Sequence, residues 1–400
     1  MQASHSNRFS LWLAASGLLA AVLYLILVTG DYALEAIHAV PGEAARAEAR
    51  RVASEDQPQV AAAYAQGYRQ ALFPSAFDAY PSLRKLSIEH GIAPLAPQPD
   101  TRLVGCNEGY GLVTYQSDRF GFRNRDALWE QSVNTVLIGD SYTFGACVED
   151  ASTIAGQLTN RAPVLNLGTS GNHPLHYAAL TKTFVPRIKP KTVVLIFCSN
   201  DNGQGERNSA YYQQYFLRDA RYFAPGADAL RPAAALLRVY AEASALIPSV
   251  QPDAKQTSAL AHAANWLRGI RPHLQLRQIR GQVERTASRF GGRGGRLPFS
   301  TALAIDTLKS VCTEANCKPL IVWIPVNPAR RPDARAADYR NSIAWHAAAH
   351  GIEFYDPASA LHALGSDRAY AIKGSHLSPE GYAAVASGIE RMLASPRHGQ

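Results

Sequence analysis

From residue 133 onward the chain alternates short, unbroken apolar runs with longer stretches of helical composition. The runs are NTVLIGD, APVLNLG, KTVVLIF, KPLIVWIP and GIEFYD. Apolar runs without a polar alternation mark strands that are covered on both faces. Strands that alternate with helices predict an α/β fold built on a doubly wound, five-stranded parallel sheet. In such sheets ligands bind beyond the carboxyl ends of the strands. The residues that directly follow each run are therefore the first candidates for chemistry.

Three segments depart from this rhythm. Between Arg8 and Asp31 lie 22 uncharged residues, mostly Leu, Ala, Val and Ile. About 20 apolar residues suffice for a transmembrane helix, and no small-x-small cleavage pattern follows closely. Residues 9–30 are thus predicted to be an uncleaved transmembrane anchor behind a cytoplasmic tail of residues 1–8. Arg8 before the span and Asp31 and Glu35 after it orient the remainder outward. Residues 31–100, Ala-rich and then punctuated by Pro, predict a helical stalk that packs on the body. Residues 203–297 predict a helical insert, because a plain loop of that length is uncommon. The insert is basic: Trp266 to Arg296 holds eight arginines against the single acid Glu284. A membrane-facing or glycan-docking surface and a solvated helix face both fit this pattern. The body is then residues 101–202 and 298–400.

Composition narrows the setting. With 47% hydrophobic and 18% charged residues the chain is globular, and its net charge of +8 favours acidic partners. No nucleic-acid-binding motif is present, so anionic lipid and acidic glycan are the partners that remain. The five cysteines lack metal-ligand spacing, and no metal or organic cofactor is expected. Cys312 and Cys317 are close enough in sequence to bridge at a helix end. Cys106 and Cys147 flank one candidate block and form a second candidate pair. Five free thiols are the alternative.

The candidate chemistry follows the strand ends. Ser141 in GDSYTFG stands where the first strand must turn into a helix. Gly171 in NLGTSG follows the second strand, and a glycine lets backbone approach an anion closely. Asn200 in FCSND follows the third and offers a side-chain amide to the same anion. His376 in SHLSPEG precedes a helix start capped by Ser378 with Pro379 in the first turn, where it can act as a general base. Each feature alone has an ordinary reading as a turn or a cap; their order along the chain is what favours a site.

These blocks resemble those of the SGNH (GDSL-type) hydrolase superfamily, over roughly Cys106 to Leu393 with the insert excluded. The resemblance implies a flavodoxin-like SGNH hydrolase fold and a serine nucleophile, Ser141. It implies an oxyanion hole from the Ser141 and Gly171 backbone N–H groups and the Asn200 amide, with His376 as base. CNEGYG, YQSDRFGFRN and GDSYTFGACV resemble a membrane-anchored branch associated with surface-polysaccharide modification. In YQSDRFGFRN, Asp118 and Arg123 are candidate substrate contacts, with a structural Asp–Arg pair as the alternative. The letters SGNH at Ser170 to His173 are a coincidence, although His173 can still contact substrate. Two positions depart from the family. Cys198 stands where glycine is common. Lys373 stands three residues before the base, where the family has aspartate, and Gly374 follows it. The triad acid must then come from elsewhere, with Asp367, Asp356 and Glu380 as candidates, or the pair works as a Ser–His dyad.

The expected activity is a serine esterase that removes O-acyl groups, O-acetyl foremost, from an acylated carbohydrate. The same residues serve an O-acetyltransferase. A lipid-directed esterase and a catalytically weak membrane-tethered scaffold that binds a polysaccharide-assembly partner are the rivals. The expected location is the bacterial inner membrane, crossed once, with the catalytic body in the periplasm.

Overall fold

The structure is a computed structural model that describes residues 16, 18–30, 56–159, 162–202, 222–224, 230–250, 279, 297–327 and 336–394. The chain divides into two units, residues 1–53 with 252–293 and residues 54–251 with 294–400. In the first, residues 18–30 are helical, and Leu18, Leu19, Leu23, Leu25 and Ile26 are each more than half exposed. Among the described residues no helix is long and apolar enough to cross a membrane. Residues 9–15 and 17 of the predicted span lie outside the described residues. So does the arginine-rich stretch 266–296, apart from Ile279.

The described residues of the second unit hold eight strands. A small sheet pairs β1 (Arg69–Gln70) parallel to β2 (Arg102–Val104), and β2 antiparallel to β3 (Thr114–Gln116). The segment read as a helical stalk thus contains one short strand, and the hairpin β2–β3 lies outside the five strands expected from the sequence. The main sheet contains β4 (Thr135–Ile138), β5 (Val164–Asn166), β6 (Thr192–Cys198), β7 (Lys318–Ile324) and β8 (Glu353–Tyr355). Its order is β5-β4-β6-β7-β8 with every neighbour parallel, so all five predicted strands form and pair. This 2-1-3-4-5 order reverses direction between β4 and β6, the switch point at which such sheets bind ligands.

The helices begin with α1 (Pro74–Ala79), α2 (Pro81–His90), α3 (Ser141–Phe144), α4 (Ile154–Thr159), α5 (Pro174–Ile188) and α6 (Ala234–Val250). They continue with α7 (Phe299–Ala315), α8 (Ala336–Ala349), α9 (Ala358–Leu364), α10 (Ser366–Ala369) and α11 (Pro379–Ala394). Successive strand residues face opposite sides, and the core divides accordingly. Val136, Ile138, Val193, Leu195, Phe197, Ile321 and Trp323 pack with α5 and α7 residues such as Phe184 and Leu308. Leu137, Val194, Ile196, Leu320 and Val322 pack on the other face with Ile154 of α4 and Tyr382 and Ile389 of α11. Helices on both faces explain why the strands are apolar without alternation. Two tyrosine hydroxyls fasten the insert's described part to the segment before the body, Tyr222 to the Ala93 carbonyl and Tyr240 to the Ala96 carbonyl.

Candidate active site

The position of Ser141, the candidate nucleophile, follows from the turn between β4 and α3. Asp140 caps α3 by accepting from the Tyr142 N–H (2.9 Å). This leaves Ser141 as the first helical residue, at the carboxyl edge of the sheet and 8% exposed. His376 lies between β8 and α11. Ser378 accepts from the Gly381 N–H (2.9 Å) and caps that helix as the sequence predicts. The histidine loop is braced from the nucleophile side: the Tyr142 hydroxyl donates to the Ser375 carbonyl (2.7 Å), and its ring lies 4.9 Å from the imidazole. His376 Nε2 is then 2.9 Å from Ser141 Oγ.

The carboxylate that meets His376 is none of the three candidates named from sequence but Glu108. His376 Nδ1 is 2.7 Å from Glu108 Oε1, and the His376 backbone N–H donates to Glu108 Oε2 (3.2 Å). Glu108 sits in the connection of the β2–β3 hairpin, within CNEGYG. Asn107 Oδ1 accepts from the Gly109 and Gly111 N–H groups (2.8 and 3.2 Å) and shapes the turn that presents it. The Cys106–Cys147 disulfide ties this turn to the segment that follows the nucleophile helix. A Cβ built on Gly374 would stand 1.7 Å from the Glu108 carboxyl carbon. The glycine two residues before the base therefore clears the space that the distant acid fills. Lys373, standing where the family has aspartate, gives its backbone N–H to the Glu108 carbonyl (3.0 Å).

The three acids proposed from sequence are engaged or placed otherwise. Asp356 pairs with Arg340 and accepts from the Ala358 N–H (2.8 Å). Glu380 pairs with Arg368, and Asp367 is exposed on α10. The glutamate, 268 residues before the histidine, corrects those candidates.

Gly171 has φ +78° in the loop after β5, with a Ser75 side chain where a Cβ would go. Asn200 follows β6, its Nδ2 3.4 Å from Asp140 Oδ2. Cys198 Sγ touches both the Asn200 amide oxygen and Asp140 Oδ2. Beneath them Asp201 accepts from the Cys198 N–H (2.9 Å) and the Tyr177 hydroxyl (2.8 Å). Burial pushes the Asp201 carboxyl well above its ordinary range, and the neighbouring Asp140 charge adds to this. Burial also raises Asp140. A dry floor of this kind holds the Asn200 amide and the serine turn in fixed positions.

Arg123 and Asp118 are placed in the scaffold around the site. Arg123 pairs with Asp150 (2.6 Å) and donates to the Gly145 and Val148 carbonyls (3.0 and 2.8 Å), which pins the chain after α3. Asp118 accepts from the Phe120 and Phe122 N–H groups, Asn124 and the Trp129 indole. His173 is 5% exposed, at the cap of α5 and against His176. A cavity of about 670 Å³ lined by residues such as Tyr64, Tyr68, Gln98 and Tyr240 includes none of the site residues. The second disulfide joins Cys312 and Cys317 at the end of α7, and Cys198 is free and buried.

No family model matches the chain, and no curated protein matches it. Among solved structures it is similar to a lipase/acylhydrolase from Enterococcus faecalis, at 14% identity and TM-score 0.35, over 65% of this chain and 95% of that one. It is also similar to an acetylxylan esterase from Geobacillus stearothermophilus, at 12% identity and TM-score 0.33, over 66% of this chain and 98% of that one.

Proposed function

We propose that this chain is a serine esterase of the SGNH type that removes O-acyl groups, O-acetyl foremost, from an extracytoplasmic glycan. The observation that carries the reading is the continuous relay from Ser141 Oγ through His376 to Glu108, with contacts of 2.9 and 2.7 Å. Glu108 accepts from Nδ1–H and so selects the tautomer whose Nε2 is free to accept the serine proton. Ser141 Oγ attacks the ester carbonyl while Nε2 takes its proton. The Ser141 and Gly171 N–H groups and the Asn200 amide receive the developing oxyanion. The imidazolium then protonates the departing sugar oxygen, which leaves an acyl-serine. Water, deprotonated by the same Nε2, attacks that ester, and Nε2 returns the proton to Ser141 Oγ as its bond to the acyl carbon breaks and the acid leaves.

An extracytoplasmic setting is supported by the two disulfides, which persist in oxidising compartments. The apolar run before Asp31 supports a tether to the membrane. Acetate as the acyl group and a glycan as its carrier rest on the ordered GDS, SG, ND and HLSPEG blocks and on their resemblance.

The test is hydrolysis of p-nitrophenyl acetate by the full-length chain beside its S141A and H376A variants, followed by acetate release from O-acetylated polysaccharide. Activity that is lost in both variants is expected. Equal rates in all three folded proteins would overturn the proposal.

A further inference from the structure

Away from the esterase site, α7 and α8 pack side by side on one face of the sheet. Each precedes the next parallel strand, so the two run in the same direction, and they touch at two levels. At one level Thr301 Oγ1 meets the Tyr339 hydroxyl at 2.7 Å. At the other, Asp306 of α7 meets two histidines spaced four residues apart at the end of α8. His346 Nε2 lies 3.0 Å and His350 Nε2 3.1 Å from the same oxygen, Asp306 Oδ1. The three potential donor atoms fall within 4.8 Å of one another. We propose that Asp306, His346 and His350 form a binding site for a divalent late transition ion, zinc foremost, that clips α7 to α8.

An i, i+4 histidine pair places two imidazoles on one helix face, and two His with one carboxylate is a recurrent ligand set for zinc. Zinc holds its N and O ligands at about 2.0–2.2 Å, which in a tetrahedron sets neighbouring ligand atoms about 3.3 Å apart. The observed 3.0 and 3.1 Å separations from Asp306 Oδ1 need a few tenths of an ångström of opening, and the two imidazole nitrogens lie within 4.8 Å of one another. The side chains are half-buried to exposed, His346 at 21%, His350 at 32% and Asp306 at 51%, so an ion can enter and a fourth position faces solvent. Imidazole donors favour Zn²⁺, Ni²⁺ or Cu²⁺ over Mg²⁺ and Ca²⁺, which prefer oxygen. Attraction to the helix C-terminus is an ordinary reason for histidines there. That field does not account for both Nε2 atoms converging on one oxygen of a different helix. The site shares no residue with the Ser141 relay and stands or falls independently of it.

The experiment uses the full-length chain, stripped of metal with a chelator and titrated with zinc against a chromophoric competitor. One tight equivalent is expected, weakened at least tenfold in each of D306A, H346A and H350A and unchanged in H376A and H362A. Trp345, 61% exposed beside His346, supplies a second readout: cobalt should quench its emission, and the quench should vanish in W345F and in H346A. All three ligands are surface side chains, and melting of the metal-free variants verifies that they fold. No tight equivalent, or one that survives any of the three ligand substitutions, overturns the site.

Discussion

Two histidine environments lie close together in sequence logic and far apart in physical character. His376 has a donor–acceptor partner on each ring nitrogen, the serine hydroxyl at 2.9 Å and a carboxylate at 2.7 Å, and keeps 19% of its side chain exposed. His173 and His176 meet edge to face, their ring centroids 4.1 Å apart, and are 5% and 0% exposed. The His173 backbone N–H donates to His176 Nδ1 at 3.3 Å, a helix-capping contact that leaves that ring's proton on Nε2. Burial holds His173 down at about 3 and His176 well below its ordinary value. In the proposed reaction the same residue type carries a proton in one place, and it is a neutral packing and capping group in the other. The difference lies in what surrounds the ring: His376 has a carboxylate on Nδ1 and a hydroxyl on Nε2, whereas the wall at α5 buries its two rings and disfavours their charged forms.

The widest separation between the two comes from deleting each ring. H376Q should lower kcat by about 10⁴ or more, since the serine loses its base, while leaving the urea midpoint nearly unchanged. H173N keeps a capping side chain and should hold kcat within a few-fold. Initial rates on p-nitrophenyl acetate check both, and comparable losses would erase the distinction.

The next effect removes only the charge behind His376. E108Q keeps the volume and a hydrogen-bond acceptor but cannot stabilise the imidazolium, so kcat should fall on the order of 10³-fold. E108Q should act alone: D356N, E380Q and D367N should each stay within a few-fold of the parent. A loss in one of those three equal to that of E108Q would return the acid to the neighbourhood of the histidine in sequence.

That glutamate marks the boundary of what the sequence could tell. The five strands were legible because helices on both faces leave no polar alternation; Ser141, Gly171 and Asn200 stood out as candidates because each follows a strand, and His376 because a capped helix starts just after it. Glu108 was not, because a hairpin folded 268 residues earlier delivers it. Local spacing carries no trace of such a contact. Two signs were nevertheless present: Gly374 beside Lys373, which empties the usual place of the acid, and Cys106, two residues from Glu108, which bridges to Cys147 just past the nucleophile. The roles of Arg123 and Asp118 turn on which backbone groups lie within reach, and only the fold supplies that.

The two disulfides give a third contrast, between a bond that carries the acid to the base and one that only closes a helix end. Cys106–Cys147 spans 41 residues, which by chain entropy contributes about 4 kcal/mol, against about 2 kcal/mol for Cys312–Cys317, which spans five. C106A/C147A should lower the unfolding free energy by about that amount and kcat by about tenfold, because the Glu108 turn loses its tether. C312A/C317A should leave kcat intact. Paired urea melts and rates separate the two, and an equal loss of kcat would deny the first disulfide its part in the site.

The smallest effect isolates the buried pair through acid. In the unfolded chain a histidine titrates near 6.5, whereas native His173 resists protonation down to about 3. Between those values the unfolded state binds the proton and the native state does not. The stabilisation is therefore complete above about pH 6.5 and is lost as pH falls towards 3. At pH 5 one such group has withdrawn about 2 kcal/mol relative to neutral pH. H173N removes that titration, so its unfolding free energy should fall less steeply than the parent's between pH 6.5 and 4, by about that amount at pH 5. Urea titrations at half-unit intervals measure the slope. If parent and variant run parallel, His173 takes up its proton in the folded protein as readily as in the unfolded one. The wall that distinguishes it from His376 would then be open to water.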